Sequence, residues 1–93
     1  MQKILYFHFD SCPYCQQANR WLEDLLSENP QYRAIPITRI DERKEPILAD
    51  QYDYYYVPTF YVGDRKVHEG AATREKVLSV LEQALAAADT IAG

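Results

Sequence analysis

Two thiols are the residues best equipped for chemistry. Cys12 and Cys15 are the only cysteines of the 93-residue chain, and they enclose Pro13 and Tyr14. A thiolate is a nucleophile, and a second thiol three residues away can displace whatever the first has captured. The pair is therefore suited to thiol–disulfide exchange, with Cys12 attacking and Cys15 resolving. Two elements must hold such a pair. Ile4, Leu5, Tyr6, Phe7, His8 and Phe9 form a short, nearly continuous apolar run that reads as a buried strand. Ala18, Trp21, Leu22, Leu25 and Leu26 recur at the spacing of one helix face. The thiols thus lie where a strand ends and a helix begins.

That junction has electrostatic consequences. Pro13 suits the first helical turn, where its missing N–H would have had no partner. Cys12 then falls at or beside the N-cap, and the free amides of the first turn, Tyr14 and Cys15 among them, can point at its sulfur. Those dipoles favour its thiolate. Residues three apart on a helix are neighbours, with a Cα separation of roughly 5–6 Å that a disulfide can span. A purely structural bridge is a poor alternative, because so short a loop constrains the unfolded chain least. A zinc site needs four ligands, or three and a water, and only His8 and His68 could join the cysteines. His8 reads as a packed core residue near the end of a central strand. His68 reads as a surface residue of an edge hairpin. No metal site is expected.

Composition narrows the function classes. Hydrophobic residues make up 47% of the chain, which favours a globular fold over disorder, and the length favours one domain over residues 1–93. A net charge of −4 argues against nucleic acid as a partner. No apolar run approaches membrane-spanning length, and no basic leader precedes the first strand. A cytoplasmic location follows if Met1 is the native start.

The predicted elements run in order. A strand over residues 3–9 and a helix over 13–28 precede Asn29-Pro30, which stops the helix. A second strand spans 32–40, and Pro36 inside it places this strand at an edge or a bulge. Strand, helix, strand reads as a parallel βαβ unit. Residues 41–44 read as a solvated charged turn. Pro46 opens a second helix whose face holds Ile47, Leu48, Ala49, Tyr52, Tyr55 and Tyr56, barred from continuing by Pro58. Strands over 59–62 and 65–69 close a hairpin at Gly63-Asp64, and Gly70 breaks the pattern. Thr73 caps a third helix, with Glu75 in its first turn and Val77, Val80, Leu81, Ala84 and Leu85 on its apolar face. Residues 89–93 read as a frayed tail. The order β-α-β-α-β-β-α predicts an α/β fold, a mixed four-stranded sheet flanked by three helices.

With this order on the page, the chain resembles the thioredoxin-like superfamily, and in particular its glutaredoxins and thioredoxins. Cys12-Pro13-Tyr14-Cys15 is similar to a dithiol glutaredoxin active site. Val57-Pro58-Thr59 resembles the family's Val-Pro, whose proline is cis and packs beside the dithiol. The likeness spans residues 3 to about 86 and implies a thioredoxin-like fold and a dithiol–disulfide oxidoreductase. It implies Pro13, Tyr14, Tyr56, Val57 and Pro58 on the substrate side, with an exposed backbone near Tyr56 and Val57 that could pair with a substrate peptide. It implies no bound cofactor. The external reductant would be glutathione or a thioredoxin-reductase-type donor. The substrates would be protein disulfides or low-molecular-weight thiol compounds, and the protein would be a monomer. An iron–sulfur cluster shared between chains, known for some glutaredoxins, is disfavoured by Pro13. The contrasting reading is a non-catalytic thioredoxin-fold module for binding or metal carriage.

The departures from the family have meaning. Asp10 stands near where glutaredoxins often carry a cation for a glutathione carboxylate. Tyr56 replaces their usual Thr, and Gly70-Ala71-Ala72-Thr73 replaces a Gly-Gly and polar run. Tyr6 and His8 occupy the strand in which thioredoxins have a buried Asp. Weak use of glutathione is therefore expected, unless Arg74 folds back towards the thiols.

Overall fold

The computed structural model describes residues 1–87; the expected tail at 89–93 lies outside the described residues. The first strand, β1, covers Ile4–His8, and the first helix, α1, covers Pro13–Glu28. Proline at the first position starts α1, and the Asn29 amide and side chain both donate to the Leu25 carbonyl where it ends. The expected second strand is shorter than its apolar residues suggested. Residues Pro30–Ala34 form a 3₁₀ turn that buries Tyr32, and β2 is Ile37–Asp41. Pro36 stands just before β2, where its lack of an amide is harmless and its carbonyl accepts from the Ile4 amide at 2.9 Å.

The next helix is the larger correction. Only Pro46–Ala49 is helical (α2); residues 50–58 run without regular structure. Ile47, expected on its buried face, is 81% exposed, and Tyr55 and Tyr56 also lie open to solvent. The apolar face read across 47–56 belongs instead to Leu48, Ala49, Tyr52, Tyr54 and Val57, which pack on the sheet. β3 (Thr59–Val62), β4 (Arg65–Glu69) and α3 (Arg74–Ala86) follow as expected. Gly63 at φ 59° and Gly70 at φ 90° supply the left-handed turns that bound β4. The Thr73 hydroxyl accepts from the Lys76 amide and caps α3. Leu85, expected in the core, is partly exposed.

The sheet order is β2-β1-β3-β4. β1 and β2 are parallel, with His8 opposite Asp41. β1 and β3 are antiparallel, with Phe7 opposite Thr59, and Thr59 in turn lies opposite Glu69 of β4. One end of the sheet therefore collects the exits of β1, β2 and β4 and the entry to β3. Alternation along β1 divides its side chains between two faces. Ile4 and Tyr6 join Leu22, Leu25, Phe60, Val62, Val77, Val80, Leu81 and Ala84 under α1 and α3. Leu5 and Phe7 join Ile40, Ala49 and Tyr61 on the other face. Burying one side chain such as Leu22 or Phe60 stabilises the fold by about 1.5–3 kcal/mol.

Candidate active site

Cys12 is the N-cap of α1, in extended backbone geometry, and its Sγ accepts the Cys15 amide at 3.1 Å. Its own amide donates to the Phe9 carbonyl at 3.2 Å, and its carbonyl accepts the Gln16 amide at 2.9 Å, so the turn is held on both sides of the thiol. Both cysteines are free thiols. The expectation of one openly exposed sulfur needs revision: Cys12 is 4% accessible and Cys15 0%, so the difference between them is a narrow opening. Burial pushes the Cys15 thiol well above its ordinary pKa, and the nearby Cys12 adds to the effect.

Beneath the pair lies Tyr6. Its ring stacks on Phe60 with centroids 4.6 Å apart, and its hydroxyl donates to the Cys15 carbonyl at 3.1 Å. Burial, and then the charge that either cysteine would carry, raise the Tyr6 pKa, so this phenol is a donor and not a base. Tyr14 stands exposed on the turn between the thiols.

The charged turn at 41–44 is not the bland solvated loop its composition suggests. Asp41 is buried, and its Oδ1 accepts the amides of Arg43 at 2.9 Å and Lys44 at 3.3 Å. Partial desolvation opposes ionisation of Asp41, but these amides outweigh it and hold the carboxyl below its ordinary value. The turn sends two cations back to the thiol rim. The Arg43 guanidinium lies 3.7 Å from the Phe9 ring centre and reaches Ser11 Oγ at 3.3 Å. Lys44 Nζ pairs with Asp10 at 3.0 Å, and that hydrogen bond raises the Lys44 pKa. Asp10 is therefore not a lone repelling charge. Arg74, by contrast, does not fold back to the thiols: it pairs with Glu28 at 2.6 Å. The (i, i+2) and (i, i+3) spacing of Asp41 to Arg43 and Lys44 was the signal for this turn. Nothing local tied it to Asp10.

Both histidines lie on the strands expected for them, His8 at the end of central β1 and His68 on edge strand β4, but each is half-buried rather than core or surface. His8 is half-buried, with its ring 5.0 Å from that of Tyr6, and desolvation lowers its pKa. His8, Asp10 and Asp41 bring one potential metal-ligand atom each to within 4.8 Å of one another. Lys44 already neutralises Asp10 there, and amides occupy one Asp41 oxygen. His68 is half-buried too; its Nε2 lies 2.9 Å from the Gly70 carbonyl.

The remaining residues expected at the site meet at the same end of the sheet. The Val57–Pro58 bond is cis, as the resemblance implied, and Pro58 is buried. Because Thr59 pairs with Phe7, Pro58 lies at the end of β3 beside the chain that leads from β1 to Cys12. Thr59 Oγ1 donates to the Tyr56 carbonyl, and the Pro58 carbonyl accepts the Gly70 amide at 2.9 Å. Tyr54 donates to Glu42 at 2.8 Å and Tyr61 to the Asp53 carbonyl at 2.7 Å, pinning the irregular cover.

Comparison with known proteins fits this geometry. No family model matches the chain. A curated relative, thioredoxin of Methanocaldococcus jannaschii, is 29% identical over 83 residues, covering 89% of this chain and 95% of that protein. The solution structure of a thioredoxin-like protein from Clostridium perfringens has a TM-score of 0.63 at 28% identity, covering 89% of this chain and 70% of that one. Oxidised thioredoxin of Plasmodium falciparum has a TM-score of 0.68 at 17% identity, covering 89% and 80%. The fold is thioredoxin-like, and the relatives support membership of the thioredoxin-like superfamily. Among the described residues, no helix is long and apolar enough to cross a membrane.

Proposed function

We propose that this thioredoxin-like chain is a dithiol oxidoreductase that reduces disulfides, with Cys12 as nucleophile and Cys15 as resolving thiol. One observation carries the reading: at the start of a 16-residue helix, the Cys15 amide donates to Cys12 Sγ at 3.1 Å. An anionic sulfur gains most from that bond and from the helix dipole. In the first step the Cys12 thiolate attacks one substrate sulfur. A Cys12–substrate S–S bond forms, the substrate disulfide breaks, and the departing thiolate takes a proton from water. Cys15, kept protonated by burial until then, loses its proton to water and attacks Cys12 Sγ. The Cys12–Cys15 disulfide forms and the second substrate thiolate leaves. Two electrons have moved to the substrate, and an external thiol donor restores the dithiol.

The preferred substrates in this reading are protein disulfides, reduced in the cytoplasm by a monomeric single-domain protein. Glutathione carries two carboxylates and needs free cations or clustered amides. Lys44 is committed to Asp10 and Arg74 to Glu28, which leaves Arg43, held by Ser11 Oγ and the Phe9 ring, as a single rim cation for two carboxylates. Tyr14, Tyr56, Val57 and Pro58 would meet the substrate, Val57 through its backbone, and Pro13 sets the turn. Insulin reduction coupled to thioredoxin reductase, run beside glutathione-coupled reduction of a small mixed disulfide, tests both parts. The insulin assay should be the faster, and Cys12→Ser should abolish it. Activity retained in Cys12→Ser would overturn the dithiol reading; a faster glutathione assay would overturn only the substrate preference.

A further inference from the structure

Glu69, at the end of β4, reaches across the sheet edge to the irregular cover. One carboxylate oxygen accepts the amides of both Tyr55 and Tyr56, the latter at 3.0 Å. The other oxygen is held by Lys66 Nζ at 2.8 Å, and Lys66 also donates to the Asp53 carbonyl at 3.1 Å. A single acid–base pair on β4 thus fastens residues 53, 55 and 56 by their backbone. Tyr54 and Val57 pack on the sheet to either side, but the side chains of Tyr55 and Tyr56 stay exposed, so between those two anchors the backbone is held by hydrogen bonds and not by packing. The same stretch is tied from its other side, where Thr59 takes the Tyr56 carbonyl and Gly70 the Pro58 carbonyl. Among the described residues, no hydrogen bond of the protein reaches the amide or carbonyl of Val57, the residue between them. An irregular segment must find partners for its backbone groups. Here it finds them on both sides of Val57 and leaves Val57 free at the end of the sheet from which the chain runs to the dithiol.

We propose that Glu69, braced by Lys66, is a positioning residue for protein substrates: it sets the backbone of residues 55–57 so that Val57 can pair with an extended peptide flanking the target disulfide. This rests on the dithiol reading above. Glu69 touches neither thiol nor substrate. It acts through the segment it holds, so it governs docking of a polypeptide and not the exchange of sulfur. The Lys66 ammonium first, and then the pair of amides, keep its carboxyl ionised, with a pKa of about 2, so the tie persists at working pH. A small aromatic disulfide has no peptide backbone and gains nothing from an ordered Val57.

The experiment compares wild type with Glu69→Ala, Glu69→Gln and Lys66→Met, each checked for a cooperative melt. Two substrates are used: insulin and 5,5′-dithiobis(2-nitrobenzoate). Glu69→Ala should raise KM for insulin by roughly tenfold through loss of charge-assisted hydrogen bonds. Its kcat for insulin and its rate with the small disulfide should stay within about twofold of wild type. Glu69→Gln keeps an acceptor for the amides and should recover part of the loss; it also serves if Glu69→Ala does not fold. Lys66→Met should move KM in the same direction by less. An unchanged KM for insulin in the folded Glu69 variants overturns the proposal. So does an equal loss with both substrates, which would mean that Glu69 merely supports the fold. A wild type inactive on both substrates removes the dithiol reading, and this proposal with it.

Discussion

The two faces of the sheet are covered in opposite ways. On one, α1 and α3 lay aliphatic stripes over Tyr6 and Phe60. A helix satisfies most of its own backbone, so this cover needs little beyond caps at Cys12, Asn29 and Thr73. On the other, one short helix and the irregular residues 50–58 cover Phe7 and Tyr61, mostly with aromatic rings. Phe7 lies 5.0 Å from the ring of Tyr52 and 4.7 Å from that of Tyr54. This cover cannot satisfy its own backbone, and side chains of the sheet complete it: Thr59, Tyr61, Lys66 and Glu69. The regular face holds the thiols in place, and the irregular one retains a free backbone position at Val57.

If that division of labour is right, substitutions on the two faces should fail differently. The largest effect is expected at the thiols. Cys12→Ser should bring insulin reduction to background, whereas no single substitution within residues 50–56 should do so. Cys15→Ser should keep the first step and accumulate a mixed disulfide on Cys12, visible by intact-mass spectrometry.

Selectivity between the thiols comes next. Iodoacetamide at neutral pH should label Cys12 well before Cys15, because Cys15 is fully buried and burial keeps it protonated. Peptide mapping decides, and Cys15 labelled first would reverse the assigned roles.

Packing separates the faces in stability. Phe60→Ala, under α1 and α3, should lower unfolding free energy by about 3–5 kcal/mol. Tyr54→Phe, which removes only the bond to Glu42, should cost about 0.5–1.5 kcal/mol. Urea unfolding measures both. Equal losses would mean that the irregular cover is as tightly coupled to the core as the helices are.

The smallest effect is a pH dependence of the borrowed acceptor. Lys66 first, then the Tyr55 and Tyr56 amides, lower the Glu69 pKa from 4.5 to about 2. A carboxyl depressed on folding adds stability above its unfolded value and loses it as pH falls through its folded value. The stability advantage of wild type over Glu69→Gln should therefore be full above about pH 4.5 and vanish towards pH 2. A difference that does not change over that range would show the tie to be absent in solution.

Where local rules suffice, the elements could be read in advance. The start and end of α1, both strands of the β3–β4 hairpin and the cap of α3 follow from Pro13, Asn29-Pro30, Gly63-Asp64 and Thr73, all within a few residues of the feature they specify. Residues 47–56 misled because their tyrosines carry helix-like spacing. Tyr52 and Tyr54 instead find burial on the sheet while Tyr55 and Tyr56 stay exposed, and the Glu69 carboxylate that holds the irregular path lies outside the segment. Tyr32 misled in the same manner: its apolar ring is buried from a 3₁₀ turn, not from a strand.

The sequence by itself determined the thiol pair. Spacing of i to i+3 with Pro13 between the cysteines sets the Cys15 amide against Cys12 sulfur through one turn of backbone, whatever the rest of the chain does. Only the tertiary structure decided which charges surround it. Asp10 and Lys44 are 34 residues apart, and Tyr55 and Glu69 are 14 apart. Charges have no preferred partner along a flexible chain. They meet here because the parallel register of β1 with β2, and the antiparallel register of β3 with β1 and β4, bring those chain segments to one end of a single sheet.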